Sequence, residues 1–227
     1  MKKSLSIISL ILIMGLTEMS AQDTTMQKET ARSSDSMVEK KDMPIMMGEV
    51  NSWPEASKMA VEEITGLYGK PDGVTSDELI WLNKGVWKKI SINKSETKHS
   101  FPIEHTDMME TTISYKVPDN KMDELGQFDG SITFDRTQGT LSARCDKEGN
   151  NFLALNLAHD IITGKKSVAQ ARTVYGDIVK EKMNGGNPVY MQKLSFSPQE
   201  NAADPDKNTT GLTKEDIMKG MKKAEKN

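Results

Sequence analysis

The hydrophobic positions of the chain change period several times, and each change marks an element. Ala56, Met59, Ala60, Ile64, Leu67 and Tyr68 recur at three- and four-residue intervals until Gly69 and Pro71, the spacing of one helical face. Ser52 followed by Glu55 reads as a capping box that opens this helix. The period then drops to two. Residues 79–83 and 87–94 flank Lys84-Gly85, with Ile90 and Ile92 alternating against Lys89, Ser91 and Asn93, which predicts a hairpin. Residues 111–117 place Ile113, Tyr115 and Val117 on one face before Pro118, a third strand. A short turn of helix follows near Met122. Residues 131–135 and 140–145 bracket the turn 136–139 and send Ile132, Phe134, Leu141, Ala143 and Cys145 to a common apolar face.

From Asn150 the period is helical again, through Phe152, Leu155, Ala158, Ile161 and Ile162, with Gly164 placed to end the helix. Ser167 and Gln170 form another capping box, and Val168, Ala171, Val174, Tyr175 and Ile178 continue in register up to Gly185-Gly186. After Pro188, alternation of Tyr190, Leu194 and Phe196 predicts a last strand over 189–196. Strands joined by hairpins, not by helical crossovers, indicate an α+β fold. Its sheet is mostly antiparallel with helices packed on one face, and an αα-hairpin precedes the last strand.

The two ends read differently. Lys2 and Lys3, an apolar run over 5–16 and the small pair Ser20-Ala21 have the order of a secretory signal, cleaved after Ala21. The run is well short of the roughly twenty residues that span a bilayer. The sole cysteine, Cys145, is far from that site, so no acylated cysteine anchors the product. The expectation is a periplasmic or secreted protein with no membrane anchor after signal removal. Residues 22–50 are rich in Thr, Ser, Lys, Glu and Asp and read as a disordered linker. Residues 51–197 form a single domain, and 198–227 a disordered or weakly helical tail, with a weak helix over 213–224. The net charge is −3, and loss of Lys2, Lys3 and Glu18 with the leader makes it more negative. That balance excludes a phosphate-binding, nucleic-acid-directed surface. A lone cysteine also excludes an internal disulfide.

Two resemblances bear on the domain. Residues 52–94, with Gly69-Lys70-Pro71-Asp72 after a helix and Trp81 leading into a hairpin, are similar to BLIP-like modules of bacterial envelope lipoproteins. A second set of residues spans most of 52–196. It comprises His99-x-Phe101-Pro102-x-x-His105-x-Asp107, Phe128-Asp129-Gly130-Ser131, Arg136-Thr137, Ala143-Arg144-Cys145-Asp146 and Leu155-Asn156-Leu157-Ala158. Together these resemble an uncharacterised family of exported bacterial proteins. The resemblance implies one folded unit and supplies no mechanism.

Candidate chemistry centres on the three histidines. His99, His105 and Asp107 lie within nine residues, and a distant His159 completes a set of N and O donors of the kind zinc accepts. In an extended run His105 and Asp107 point the same way, so both reach one ion. The competing reading leaves His159 hydrogen-bonded in the core and the other two on a loop. Thioethers of Met43, Met46, Met47, Met108 and Met109 raise copper as a second metal, although methionine also serves as core filler. A Cys145 nucleophile paired with His105 or His159 is opposed by the alternation that turns Cys145 inward. Motifs of serine hydrolases, dinucleotide binders, phosphate loops and zinc proteases are absent from the sequence. Asp123 and Glu124, like Glu62 and Glu63, fit solvated helix faces.

Three function classes follow. The leading one is an exported, non-catalytic domain that binds a small molecule or an envelope or secreted partner. The alternative is a zinc- or copper-binding protein, or a metal-dependent hydrolase, built on His99, His105 and Asp107. The third is a cysteine-dependent enzyme.

Overall fold

Six strands form one sheet in the order β1-β2-β3-β4-β6-β5, and every neighbouring pair is antiparallel. They are β1 (Gly73–Val74), β2 (Glu78–Lys84), β3 (Trp87–His99), β4 (His105–Ser114), β5 (Ile132–Asp135) and β6 (Thr140–Cys145). The structure is a computed structural model that describes Gly48 and residues 50–225, all within the unit Met43–Asn227. The leader and most of the 22–50 linker, and with them the export expectation, lie outside the described residues. No helix among the described residues is long and apolar enough to cross a membrane.

Alternation places one buried row on each strand. Leu79 pairs with Ile92, Ile92 with Met109 and Met109 with Cys145. One step along, Trp81, Ile90, Thr111, Ala143 and Ile132 form a second row across five strands. Both rows face α1 (Glu55–Tyr68) and α3 (Glu148–Ile162), which cover that side of the sheet. The arrangement is the α+β architecture expected from the hairpin-linked strands. Between β4 and β5 runs a 3-10 turn, Asp119–Lys121, followed by α2 (Met122–Phe128); α4 (Val168–Met183) folds back beside α3.

Helix α1 differs from its sequence reading in two respects. It starts at Glu55 after Pro54, without a side-chain cap, because a proline ring suits a helix entrance and disfavours helical geometry in the residue before it. Its buried face is Ser57, Ala60, Val61 and Ile64, while Met59 and Leu67 are each 57% exposed. Ala60, Val61 and Ile64 pack into the core on this face, and the Ser57 hydroxyl on the same face donates to the Asn93 carbonyl at 3.0 Å.

A buried carboxylate joins the layers. Glu148 Oε1, at the start of α3, accepts from Trp87 Nε1 at 2.6 Å and from the Tyr68 hydroxyl at 2.5 Å. One acid thereby ties α1, β3 and α3, and the Trp87 ring packs on Phe152 with centroids 4.6 Å apart. Burial around Glu148 raises the Tyr68 phenol, and burial raises the carboxyl of Glu63.

The expected strand over 189–196 is not a strand. The helix pair is present, with the Ser167–Gln170 capping box formed, but it leads into a 3-10 turn at Val189–Met191. Asn156, fully buried on α3, explains the difference: its amide donates to the carbonyls of Tyr190 and Lys193 and accepts from Ser195 N. Three of the segment's backbone groups are thus satisfied by a helix side chain, and Met191 N and Gln192 N by the carbonyls of Pro188 and Val189, where a strand would have paired with a neighbour.

Beyond residue 198 the chain stays on the domain for some distance. Gln199 N donates to Ser114 O at 2.9 Å and Asp204 N to Arg136 O at 3.0 Å, while Arg136 pairs with Asp204 and Asp206. Ala202 is buried over Gly139, a position with φ +65° where any Cβ would overlap the Ala202 backbone. The last helix, α5 (Lys214–Ala224), opens on a Thr213–Asp216 capping box and has no buried residue.

Candidate metal centre

The β3–β4 hairpin ends on a histidine from each strand, because His99 pairs directly with His105. Strict alternation would put His99 on the opposite face from Ile92, seven positions earlier. A register shift between Ile92 and Thr97 reverses that parity, since an irregularity in one strand re-aims every side chain beyond it. His99, His105 and Asp107 are thereby gathered on the helix-covered face, with one ligand atom of each within 4.8 Å of the others.

Asp107 is the centre of the group and is 1% exposed. Its Oδ2 lies 3.3 Å from His99 Nδ1 and accepts a short hydrogen bond from the Ser131 hydroxyl. Its Oδ1 lies 3.0 Å from His105 Nε2, off the N–H axis, and has no hydrogen bond among the described residues. Each histidine turns its other nitrogen to an oxygen acceptor: His105 Nδ1 to the Ile103 carbonyl at 2.8 Å, and His99 Nε2 toward Asp129 Oδ1 at 3.6 Å. The Asp107 carboxylate, with Cys145 adding to it, pushes the His105 imidazole up to about 11. Burial raises the Asp129 carboxyl.

The turn that carries His99 and His105 is pinned by an aromatic anchor. Phe101 stacks edge-on against Tyr175 at 5.1 Å and Phe128 at 6.3 Å. The Arg172 guanidinium lies over the ring at 3.8 Å while its Nη1 donates to Phe128 O. A cation held over a ring and on a carbonyl adds orientation to packing.

Three sequence-derived candidates are placed elsewhere or differently. His159 is not in the cluster; its Nδ1 meets the Tyr115 hydroxyl at 2.9 Å and its ring stacks on Phe196 at 4.1 Å. It is a packing residue on α3. Met108 and Met109 are 1% and 0% exposed within the hydrophobic core, and Met43, Met46 and Met47 lie outside the described residues. Cys145 is 4% exposed, as its alternation implies, yet its sulfur is 3.3 Å from His105 Nε2. Burial pushes the thiol up, opposite to what an activated nucleophile requires. Sequence reasoning missed Asp129 and Ser131, which support His99 and Asp107; the Asp129-Gly130-Ser131 turn after α2 carries no spacing that links it to residue 99.

The cluster borders a cavity of about 500 Å3 whose wall includes His105, Cys145, Asp146, Ile103, Tyr175 and Met183.

His159 yields a pH prediction. Burial lowers its pKa below the ordinary 6.5, so the folded protein binds this proton less readily than the unfolded chain does. Its contribution is complete above pH 6.5 and is lost as pH falls below that value. The raised His105 acts in the opposite sense over this range, so the effect is read as a difference: between pH 7 and 5 the unfolding midpoint of the parent is expected to fall relative to that of His159→Phe. An unchanged slope in the variant would assign the acid loss to other groups.

No protein-family model matches the chain, and no curated protein or solved structure is significantly similar to it.

Proposed function

We propose that this is an exported domain that binds a divalent transition metal, zinc in the first instance, through His99, His105 and Asp107. The observation that carries the reading is the orientation of the two imidazoles. Each presents one nitrogen to the same buried carboxylate; the other nitrogen of His105 rests on the Ile103 carbonyl at 2.8 Å, and that of His99 faces Asp129 Oδ1 at 3.6 Å, beyond direct hydrogen-bond reach. The Ile103 contact is how outer groups set the tautomer and aim of metal-bound histidines. Donor separations of 3.0 and 3.3 Å suit an ion with bonds of about 2.0–2.2 Å to N and O in tetrahedral geometry. Two imidazoles favour zinc over calcium or magnesium, which take oxygen ligands. The core burial of Met108 and Met109 withholds the thioethers next in sequence to the histidine segment, which raised copper as the ion.

The cavity beside His105 supports the other half of the reading, a small molecule held next to the ion. When bound, zinc supplies a Lewis acid at the cavity wall. The chain's own part is to orient the imidazoles through Ile103 and Asp129 and to keep Asp107 dry.

Residues 22–227, purified without a histidine tag, are expected to retain near-stoichiometric zinc after incubation and dialysis, measured by elemental analysis. His105→Ala and Asp107→Asn lose it, whereas His159→Ala keeps it. A parent protein free of metal after that treatment overturns the proposal.

A further inference from the structure

We infer that the cavity beside His105 takes an organic anion with an apolar body, a carboxylate in the first instance. The inference rests on the small-molecule half of the proposed function and not on the ion. Three elements assemble the apolar wall: Pro102 and Ile103 come from the β3–β4 turn, Tyr175, Val179 and Met183 from α4, and Met191 from the 3-10 turn after it. Positions 175, 179 and 183 recur every four residues, so α4 lays one apolar stripe along the cavity. Ile103 is 57% and Met183 71% exposed. Apolar surface is thus left uncovered around a space of about 500 Å3, a volume that holds a small organic ligand.

The polar groups of the same wall fix the sign of the ligand's charge. Three acids line the cavity, but their charge is committed or disfavoured. Asp146 Oδ1 accepts from Asn150 Nδ2 at 2.7 Å, Glu148 Oε1 accepts from Trp87 and Tyr68, and burial raises the Glu63 carboxyl. Two cations are open. Lys147 and Lys182, exposed at the mouth, form no salt bridge or side-chain hydrogen bond among the described residues, and Lys147 attracts Glu63 only from longer range. Lys182 follows Tyr175 by two turns on the same helix face, about 10 Å along the axis. Tyr175 itself is 2% exposed, and its hydroxyl has no hydrogen-bond partner among the described residues. Burial pushes this phenol well up, so it stands as a donor. Open cations and an open donor call for a ligand with negative charge and acceptor atoms, and the stripe between them calls for hydrocarbon.

The test uses decanoate, 1-decanol and decyltrimethylammonium as probes, which share a hydrocarbon body and differ in the charge of the head. Each is titrated calorimetrically, below the concentration at which it aggregates, into residues 22–227 that have been stripped of metal with a chelator or dialysed against zinc. Decanoate is expected to bind about tenfold more tightly than the alcohol or the cation, and less tightly as salt screens the lysines. Replacing both lysines, Lys147→Gln with Lys182→Gln, should bring decanoate down to the affinity of decanol. Met183→Glu, a second change at an exposed position that leaves the core intact, should weaken decanoate by setting a like charge at the mouth. Decanol bound as tightly as decanoate overturns the anion. Decanoate not bound by the parent, or bound equally by the parent and both variants, overturns the site. The ion is decided separately: decanoate bound by protein that retains no zinc leaves this inference standing without the metal, and zinc retained without decanoate binding does the reverse.

Discussion

Trp87→Ala is expected to lower the unfolding free energy by about 4–8 kcal/mol, as much as the whole stability of a weakly stable domain. Truncating a buried tryptophan costs about 3–5 kcal/mol through lost transfer energy and the void it leaves. Here the ring is 1% exposed and packs on Phe152. A second loss adds to it. Trp87 Nε1 is one of two donors to Glu148, and a buried acceptor deprived of a donor costs about 1–3 kcal/mol. Ordinary domains have only about 5–15 kcal/mol in total, so the variant should lose a large part of its margin against unfolding. Trp87→Phe separates the contributions, keeping most of the packing and removing the donor, with an expected loss of about 1–3 kcal/mol. Denaturant unfolding followed by far-ultraviolet circular dichroism measures both. A Trp87→Phe protein as stable as the parent would mean that Tyr68 alone satisfies Glu148.

The second large effect is linkage to metal. Zinc at a free concentration one hundred times its dissociation constant should stabilise the parent by about 2.7 kcal/mol, because an ion that binds only the folded state adds its binding energy to folding. The sign is fixed by the location of the donors. His99 and His105 sit on facing strands and are brought together only when β3 and β4 pair with the shifted register. Asp107→Asn should abolish the zinc-dependent rise in unfolding midpoint. Asparagine retains the shape, so loss of the response reports loss of the anionic ligand. Magnesium at the same concentration should have no effect on either protein. A zinc-dependent rise of equal size in parent and variant would place the ion elsewhere.

The helical and alternating periods account for much of the fold. The α3–α4 pair, the β2–β3 hairpin and the β5–β6 hairpin all follow from local spacing, from Gly85 and Gly139 with φ of +56° and +65°, and from the Ser167–Gln170 cap. These features are legible because each depends on residues a few positions apart. The segment 189–196 shows the limit. Its alternation is real, but Asn156, more than thirty positions away on α3, takes the backbone groups that a strand partner would have taken. Likewise, the polar composition after residue 198 suggests a free tail, yet Gln199 and Asp204 find backbone partners on Ser114 and Arg136. A side chain or carbonyl supplied from a distant element leaves no mark on local period.

The candidate site divides in the same way. By itself, the chain determined that His105 and Asp107 share a face, since two residues in an extended strand always do, and that Cys145 is turned inward. Tertiary structure alone decided that His99 joins them, because the irregularity between Ile92 and Thr97 inverts the alternation. It also decided that His159 does not, because α3 directs that ring to Tyr115 and Phe196. The approach of Cys145 to His105, and of Asp129 and Ser131 to His99 and Asp107, depends on which strands lie side by side. Strand order is a property of the whole sheet, set by how its buried rows pack against α1 and α3, and no short stretch of sequence contains it.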